Sequence, residues 1–124
     1  MTEDKKTVLL VDDKAGNLFA LNIILKPMNL KIIKAQSGQE AIEKLRENHI
    51  DLILLDVKMP VMDGYGTATC IRKESSLCQI PIIFVSAIDE DSGSFLAENN
   101  HGKIGYVYKP IDDQKIKMLI KTYV

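Results

Sequence analysis

"DLILLDVKMPVMDG", Asp51 to Gly64, sets an unbroken apolar run against an aspartate and then a loop rich in Pro and Gly. Leu and Ile without polar alternation describe a strand buried on both faces, the condition of a central strand in a parallel sheet. A carboxylate is expensive to bury unless it is paired or metal-bound. Asp56, where that run ends, therefore either turns to solvent or serves a site.

Outward from this stretch the chain repeats one alternation. Short β-rich runs occur at "TVLLV" (Thr7 to Val11), "KIIKA" (Lys31 to Ala35), "DLILL" (Asp51 to Leu55), "IIFVS" (Ile82 to Ser86) and "YVY" (Tyr106 to Tyr108), giving five predicted strands. Between the first two, Leu18, Leu21, Leu25 and Met28 recur at steps of three and four, and Pro27 with Asn29 ends that helix. Ser37 and Glu40 have capping-box spacing, with Ala41, Ile42 and Leu45 following on one face of a second helix. A third helix is predicted from about Tyr65 to Lys73, and a fourth over Asp91 to Asn99, where only Phe95, Leu96 and Ala97 offer anchors. Ile116, Leu119, Ile120 and Tyr123 mark a fifth, capped by Asp112 or Asp113. Strands alternating with helices imply an α/β fold, its parallel sheet covered on both faces by right-handed crossovers.

Composition narrows the function classes. The 124 residues are expected to form a single domain, 1–124, with an ordinary 46% hydrophobic and 27% charged content. A formal net charge of −1 gives no general attraction to nucleic acid or anionic membrane, so any charge-driven function has to be local. Cys70 and Cys78 form neither a metal-ligand pattern nor a disulfide framework, and His49 and His101 are isolated. No apolar run approaches the roughly 18 residues of a membrane span, and no signal peptide is evident. A cytoplasmic setting without membrane insertion is the expectation.

In a parallel sheet every strand points its carboxyl end to one edge, where ligands bind. Strand one ends in Asp12 and Asp13, strand three in Asp56, strand four in Ser86 and strand five in Lys109. Carboxylates crowded together repel, and a divalent cation relieves them; an all-oxygen donor set suits Mg²⁺. Lys109 can pair with Asp56 at rest and with phosphate oxygens afterwards, and the Ser86 hydroxyl can donate to the same oxygens. These groups suit Asp56 as a nucleophile toward phosphorus.

In "VLLVDD", "LILLDVKMPVMDG", "PIIFVSA" and "GYVYKP" the chain resembles, in order and over nearly its whole length, the receiver domain of two-component response regulators. That resemblance implies a three-layer (βα)5 flavodoxin-like fold with strand order 2-1-3-4-5. It implies Mg²⁺-dependent transfer of a phosphoryl group to Asp56 from a histidine kinase or a histidine phosphotransfer protein, then slow autodephosphorylation. By the same resemblance Asp13, Asp56 and the backbone carbonyl of Lys58 are direct Mg²⁺ ligands, with Asp12 acting mainly through water. Ser86 corresponds to the switch hydroxyl, Lys109 to the phosphate-binding lysine, Tyr106 to the aromatic switch, and Pro110 to the proline after a cis peptide. Lys58 and Ile88 stand where the family varies, so the phosphoryl lifetime is left open. The polar fourth-helix region departs from the usual signalling face.

Other classes fit less well. A haloacid dehalogenase-type phosphatase wants a second Asp two residues after its nucleophile, where this chain has Lys58. A flavodoxin-like cofactor binder wants a hydroxyl- and Gly-rich loop after strand one, where this chain has "DDKAGN". A docking module that no longer cycles phosphate would not need Asp13, Asp56, Ser86 and Lys109 together. No DNA-binding motif or basic tail follows the fifth helix, so the output is a downstream effector or an output domain missing from this sequence. Met1 with "TEDKK" reads as a true start, and the end at Val124 as a possible cut. Both a stand-alone regulator and the receiver of a larger protein remain open.

Overall fold

The computed structural model describes residues 5–86 and 104–124. Its five strands are β1 (Thr7–Val11), β2 (Lys31–Ala35), β3 (Leu52–Asp56), β4 (Ile82–Ser86) and β5 (Ile104–Tyr108), all parallel, in the order β2-β1-β3-β4-β5. Four α-helices are described: α1 (Ala15–Leu25), α2 (Gly38–Glu47), α3 (Gly64–Lys73) and α4 (Asp113–Tyr123). The predicted helix at Asp91 to Asn99, like Ala87 and Ile88, lies outside the described residues.

Burial explains the unalternating runs. Every residue of β1, β3 and β4 is buried, while the edge strands β2 and β5 are partly exposed. The two-residue period is still present, now dividing two apolar cores. Leu9, Val11, Ile53, Leu55 and Phe84 pack with Ala41, Leu45, Ala68 and Ile71 from α2 and α3. Val8, Leu10, Leu52, Leu54 and Val85 pack with Leu18, Leu21, Leu25, Ile116 and Ile120 from α1 and α4. Each central strand is thus apolar throughout because both its faces meet helices.

The helix boundaries follow their caps. Ser37 Oγ accepts the Glu40 amide at 3.0 Å, but the Glu40 carboxylate reaches back to the amide of Gln36 at 2.8 Å, one residue before the cap. Asp63 caps α3 through the Gly66 amide at 2.8 Å, which starts that helix at Gly64 rather than Tyr65. Asp112, not Asp113, caps α4, its Oδ1 accepting the amides of Gln114 and Lys115 at 2.8 and 3.1 Å. After α1 the chain tightens into a 3₁₀ turn, Lys26–Met28, closed by Asn29 in the left-handed region at φ 57°.

Two strands differ from the sequence expectation. β3 begins at Leu52 because the Asp51 side chain accepts the Thr7 amide at 2.8 Å, clasping the entrance to β1 instead of extending the strand. β5 begins at Ile104, two residues early, through Gly105, a residue with poor strand propensity. The Tyr123 ring of α4 lies over Gly105, where an added Cβ would come within 3.0 Å of it, and its hydroxyl donates to the Ile104 carbonyl at 3.1 Å.

Candidate functional site

The carboxyl edge of the sheet brings the expected groups together. Asp12 continues β1 toward β2, its amide donating to the Ala35 carbonyl at 3.1 Å, and its side chain is buried. Both its carboxylate oxygens have donors: Oδ1 accepts the Lys14 amide at 2.9 Å and Oδ2 the Asn17 side-chain amide at 3.1 Å. Asn17 has no counterpart in the sequence reading. A side-chain donor five residues along belongs to no periodic pattern.

Asp56 ends β3 at 4% exposure, and Lys109 Nζ meets its Oδ1 at 3.0 Å. Burial pushes the Asp56 carboxyl above its ordinary value; the Lys109 hydrogen bond opposes that rise, and the negative charges of Asp12 and Asp13 add to it. One carboxylate oxygen from each of Asp12, Asp13 and Asp56 lies within 4.8 Å of the others. Asp13 contributes the decisive feature. Its Oδ1 is buried and, among the described residues, has no hydrogen-bond partner.

The remaining expected residues have distinct surroundings. Ser86 is buried at the end of β4, and its carbonyl accepts the Lys109 amide at 2.9 Å, which holds the lysine beside that strand end. The Lys109–Pro110 peptide is cis. Lys58 is exposed, two residues beyond Asp56. Tyr106 is half-buried, its ring stacked on Phe84 at 5.2 Å and Tyr108 at 6.2 Å, with its hydroxyl enclosed and, among the described residues, without a hydrogen-bond partner.

Gly64 is a positioning residue to which the sequence reading gave no role. Its amide donates to the Val57 carbonyl at 2.8 Å, folding the Pro-containing loop back onto the end of β3. A Cβ at this position would stand 2.4 Å from the Asp56 carbonyl oxygen and 2.8 Å from Val57 Cα, so only glycine permits the approach. The Asp63-Gly64 pair is the sequence signal, because it sets a cap and a close backbone contact side by side.

A parallel five-stranded sheet of this order thus carries an acidic cluster and the Asp56-paired Lys109 at its carboxyl edge. The response regulator receiver domain family matches residues 8–121. The chain belongs to this family.

Among its relatives, the probable transcriptional regulator ycf27 of Pyropia yezoensis is 33% identical over 98% of this chain and 49% of its own length. The chain thus spans about half the length of the first curated relatives it matches. Protein PilH of Pseudomonas aeruginosa is 26% identical over 93% of this chain and 92% of its own. A response regulator receiver protein from Pseudomonas putida, solved by crystallography, has a TM-score of 0.85 at 28% identity, covering 98% of this chain and 99% of that one. The fold is the flavodoxin-like receiver fold. Receiver domains take phosphate from histidine kinases and generally bind Mg²⁺ at an acidic pocket. Among the described residues the donor set fits such an ion: three carboxylates, no sulfur or imidazole, and one buried oxygen without a donor. Among the described residues no helix is long and apolar enough to cross a membrane.

Proposed function

We propose that this receiver chain accepts a phosphoryl group on Asp56 from the phosphohistidine of a histidine kinase or histidine phosphotransfer protein, and signals the event to a downstream effector or output domain. An Asp56 carboxylate oxygen attacks phosphorus while the bond from phosphorus to the donor nitrogen breaks. The electron pair of that bond stays on the imidazole, which leaves neutral when its other nitrogen carries a proton. Hydrolysis reverses the charge: water attacks phosphorus, the bond to Asp56 oxygen breaks, and carboxylate and inorganic phosphate result. The reading places the reaction in the cytoplasm.

The observation that carries the proposal is the uneven satisfaction of the three carboxylates. Asp12 has a donor on each oxygen and Asp56 is paired with Lys109, while among the described residues the buried Asp13 Oδ1 has none. A buried acceptor without a donor costs stability, so it is retained where a site requires it. Asp13, Asp56 and the Lys58 carbonyl would hold Mg²⁺, with Asp12 acting through water. Bound there, Mg²⁺ supplies positive charge to the phosphoryl oxygens.

The chain's own residues do the rest. Lys109, already 3.0 Å from Asp56, exchanges one anionic oxygen for another as the phosphoryl group arrives. Ser86 donates its hydroxyl to the phosphoryl group, and Tyr106 takes up the space that the movement of Ser86 opens. Incubation with acetyl phosphate, with and without Mg²⁺, tests the reaction through the mass of the intact protein. One added phosphoryl group with Mg²⁺ and none with chelator supports it; equal labelling in both, or none in either, refutes it.

A further inference from the structure

The edge of the sheet opposite the carboxylates gathers lysines from separate parts of the chain. Lys5 and Lys6 precede β1, Lys117 and Lys121 lie one turn apart on α4, and together they surround a cavity of about 560 Å³ whose lining includes Met28 and Leu30. A second cavity of about 460 Å³ shares Lys5 and Lys6 and adds Lys31. The topology causes this gathering. Helices that return the chain between parallel strands run back along the sheet, so the last turns of α4 arrive where β1 begins.

Among the described residues the lysines outnumber the acidic groups around them. Among the described residues Asp51 is the one acidic side chain lining either cavity, and it is engaged already, with the Thr7 amide at 2.8 Å and His49 Nε2 at 2.9 Å, while Val124, the last residue, brings a main-chain carboxylate to the first. Among the described residues none of the five lysines takes part in an ion pair. Lys117 and Lys121 are spaced so that like charges repel on a helix face. The helix dipole favours Lys121 in the last turn of α4, but it has no bearing on Lys5, Lys6 or Lys31.

We propose that this edge docks an acidic segment of a partner protein, its carboxylates meeting the lysines and its apolar side chains entering between Met28 and Leu30. Charge complementarity selects an anionic occupant, and the concave apolar lining selects a flexible peptide over a rigid duplex or a flat bilayer. Lysine also lacks the guanidinium fork that grips phosphate with two parallel bonds. The net charge of −1 withholds the general attraction on which nucleic acid and membrane binding depend. Docking here leaves the Asp56 edge open to a phosphodonor.

Fluorescence anisotropy on the whole chain tests the proposal. The probe is a fluorescein-labelled peptide of mixed Glu, Asp and Leu, compared with a version carrying Lys for each acid, a DNA duplex and phosphatidylserine vesicles. The acidic peptide should bind best. Its affinity should fall about tenfold from low salt to physiological salt, and about tenfold in Lys117→Glu/Lys121→Glu and separately in Lys5→Glu/Lys6→Glu. Phosphorylation by acetyl phosphate should stay unchanged in both variants. Because the pairs lie on different elements, a folding defect in one, detected by circular dichroism, leaves the other to decide. No binding by wild type, wild-type affinity in the correctly folded variants, or tighter binding of the duplex or vesicles overturns the proposal.

Discussion

Asp13 Oδ1 is a buried acceptor without a donor beside two other carboxylates, so at the residue scale the site costs stability when no cation is present. Asp13→Asn removes one repulsive charge at nearly constant volume and should raise stability in metal-free buffer by roughly 1 kcal/mol, while weakening the stabilisation by Mg²⁺. Denaturant melts with chelator and with Mg²⁺ separate the two effects. A less stable variant, or one that gains from Mg²⁺ as wild type does, would make Asp13 a structural residue. Asp56 adds a pH dependence. Burial raises its folded-state pKa, chiefly against the pull of Lys109, so the folded protein holds this proton more tightly than the unfolded chain. That contribution is complete below the unfolded carboxylate value and is lost as pH rises through the raised folded value. Asp56→Asn should therefore lose less stability than wild type as pH rises above the ordinary carboxylate value in chelator. Equal losses would show that Asp56 ionises as freely in the folded state as in the unfolded chain. Lys109→Ala should keep Mg²⁺ binding, read by titration against stability, while losing phosphorylation or its conformational consequence.

At the scale of elements, the loop from β3 to α3 aims Asp56, and two of its residues have opposite tolerances. Gly64→Ala would set a Cβ 2.4 Å from the Asp56 carbonyl and should cost about 2–4 kcal/mol by pushing the loop off the strand end. Phosphorylation should slow with it. Val61, fully exposed, is β-branched yet sits at φ 70°. Val61→Asn suits that region better and should stabilise by about 0.5–1 kcal/mol, read as a shifted urea midpoint. An unchanged midpoint would mean the loop relaxes at no cost. The central strands were legible because burial on both faces writes an apolar run into the sequence, and the convergence of Asp12, Asp13, Asp56, Ser86 and Lys109 followed from parallel topology. The start of β5 was not, because Gly105 answers to the Tyr123 ring on α4 and carries no strand signal of its own. Nor was the inequality of the carboxylates, which depends on Asn17 and the Lys14 amide both turning to Asp12.

On the scale of the whole molecule, one parallel sheet separates two chemistries, a carboxylate cluster at one edge and a lysine-lined surface at the other. Coupling across β4 and β5 should run through Ser86 and Tyr106, shifting an existing equilibrium. Phosphorylated Ser86→Ala should then lack the amide shifts that wild type shows in β5; identical shifts would place the coupling elsewhere. If Mg²⁺ binds only the native state, ten times its dissociation constant should add about 1.4 kcal/mol to wild-type stability. The proposed phosphoryl acceptor is one atom group, the Asp56 carboxylate. An aspartyl phosphate is an acyl phosphate, which borohydride reduces to the alcohol, leaving homoserine in place of the modified aspartate. Protein labelled by acetyl phosphate and Mg²⁺, reduced and sequenced by mass spectrometry, should carry homoserine at position 56 and retain aspartate at 12 and 13. Homoserine at either of those positions, or phosphate on Ser86 or a histidine with position 56 unchanged, would contradict the account.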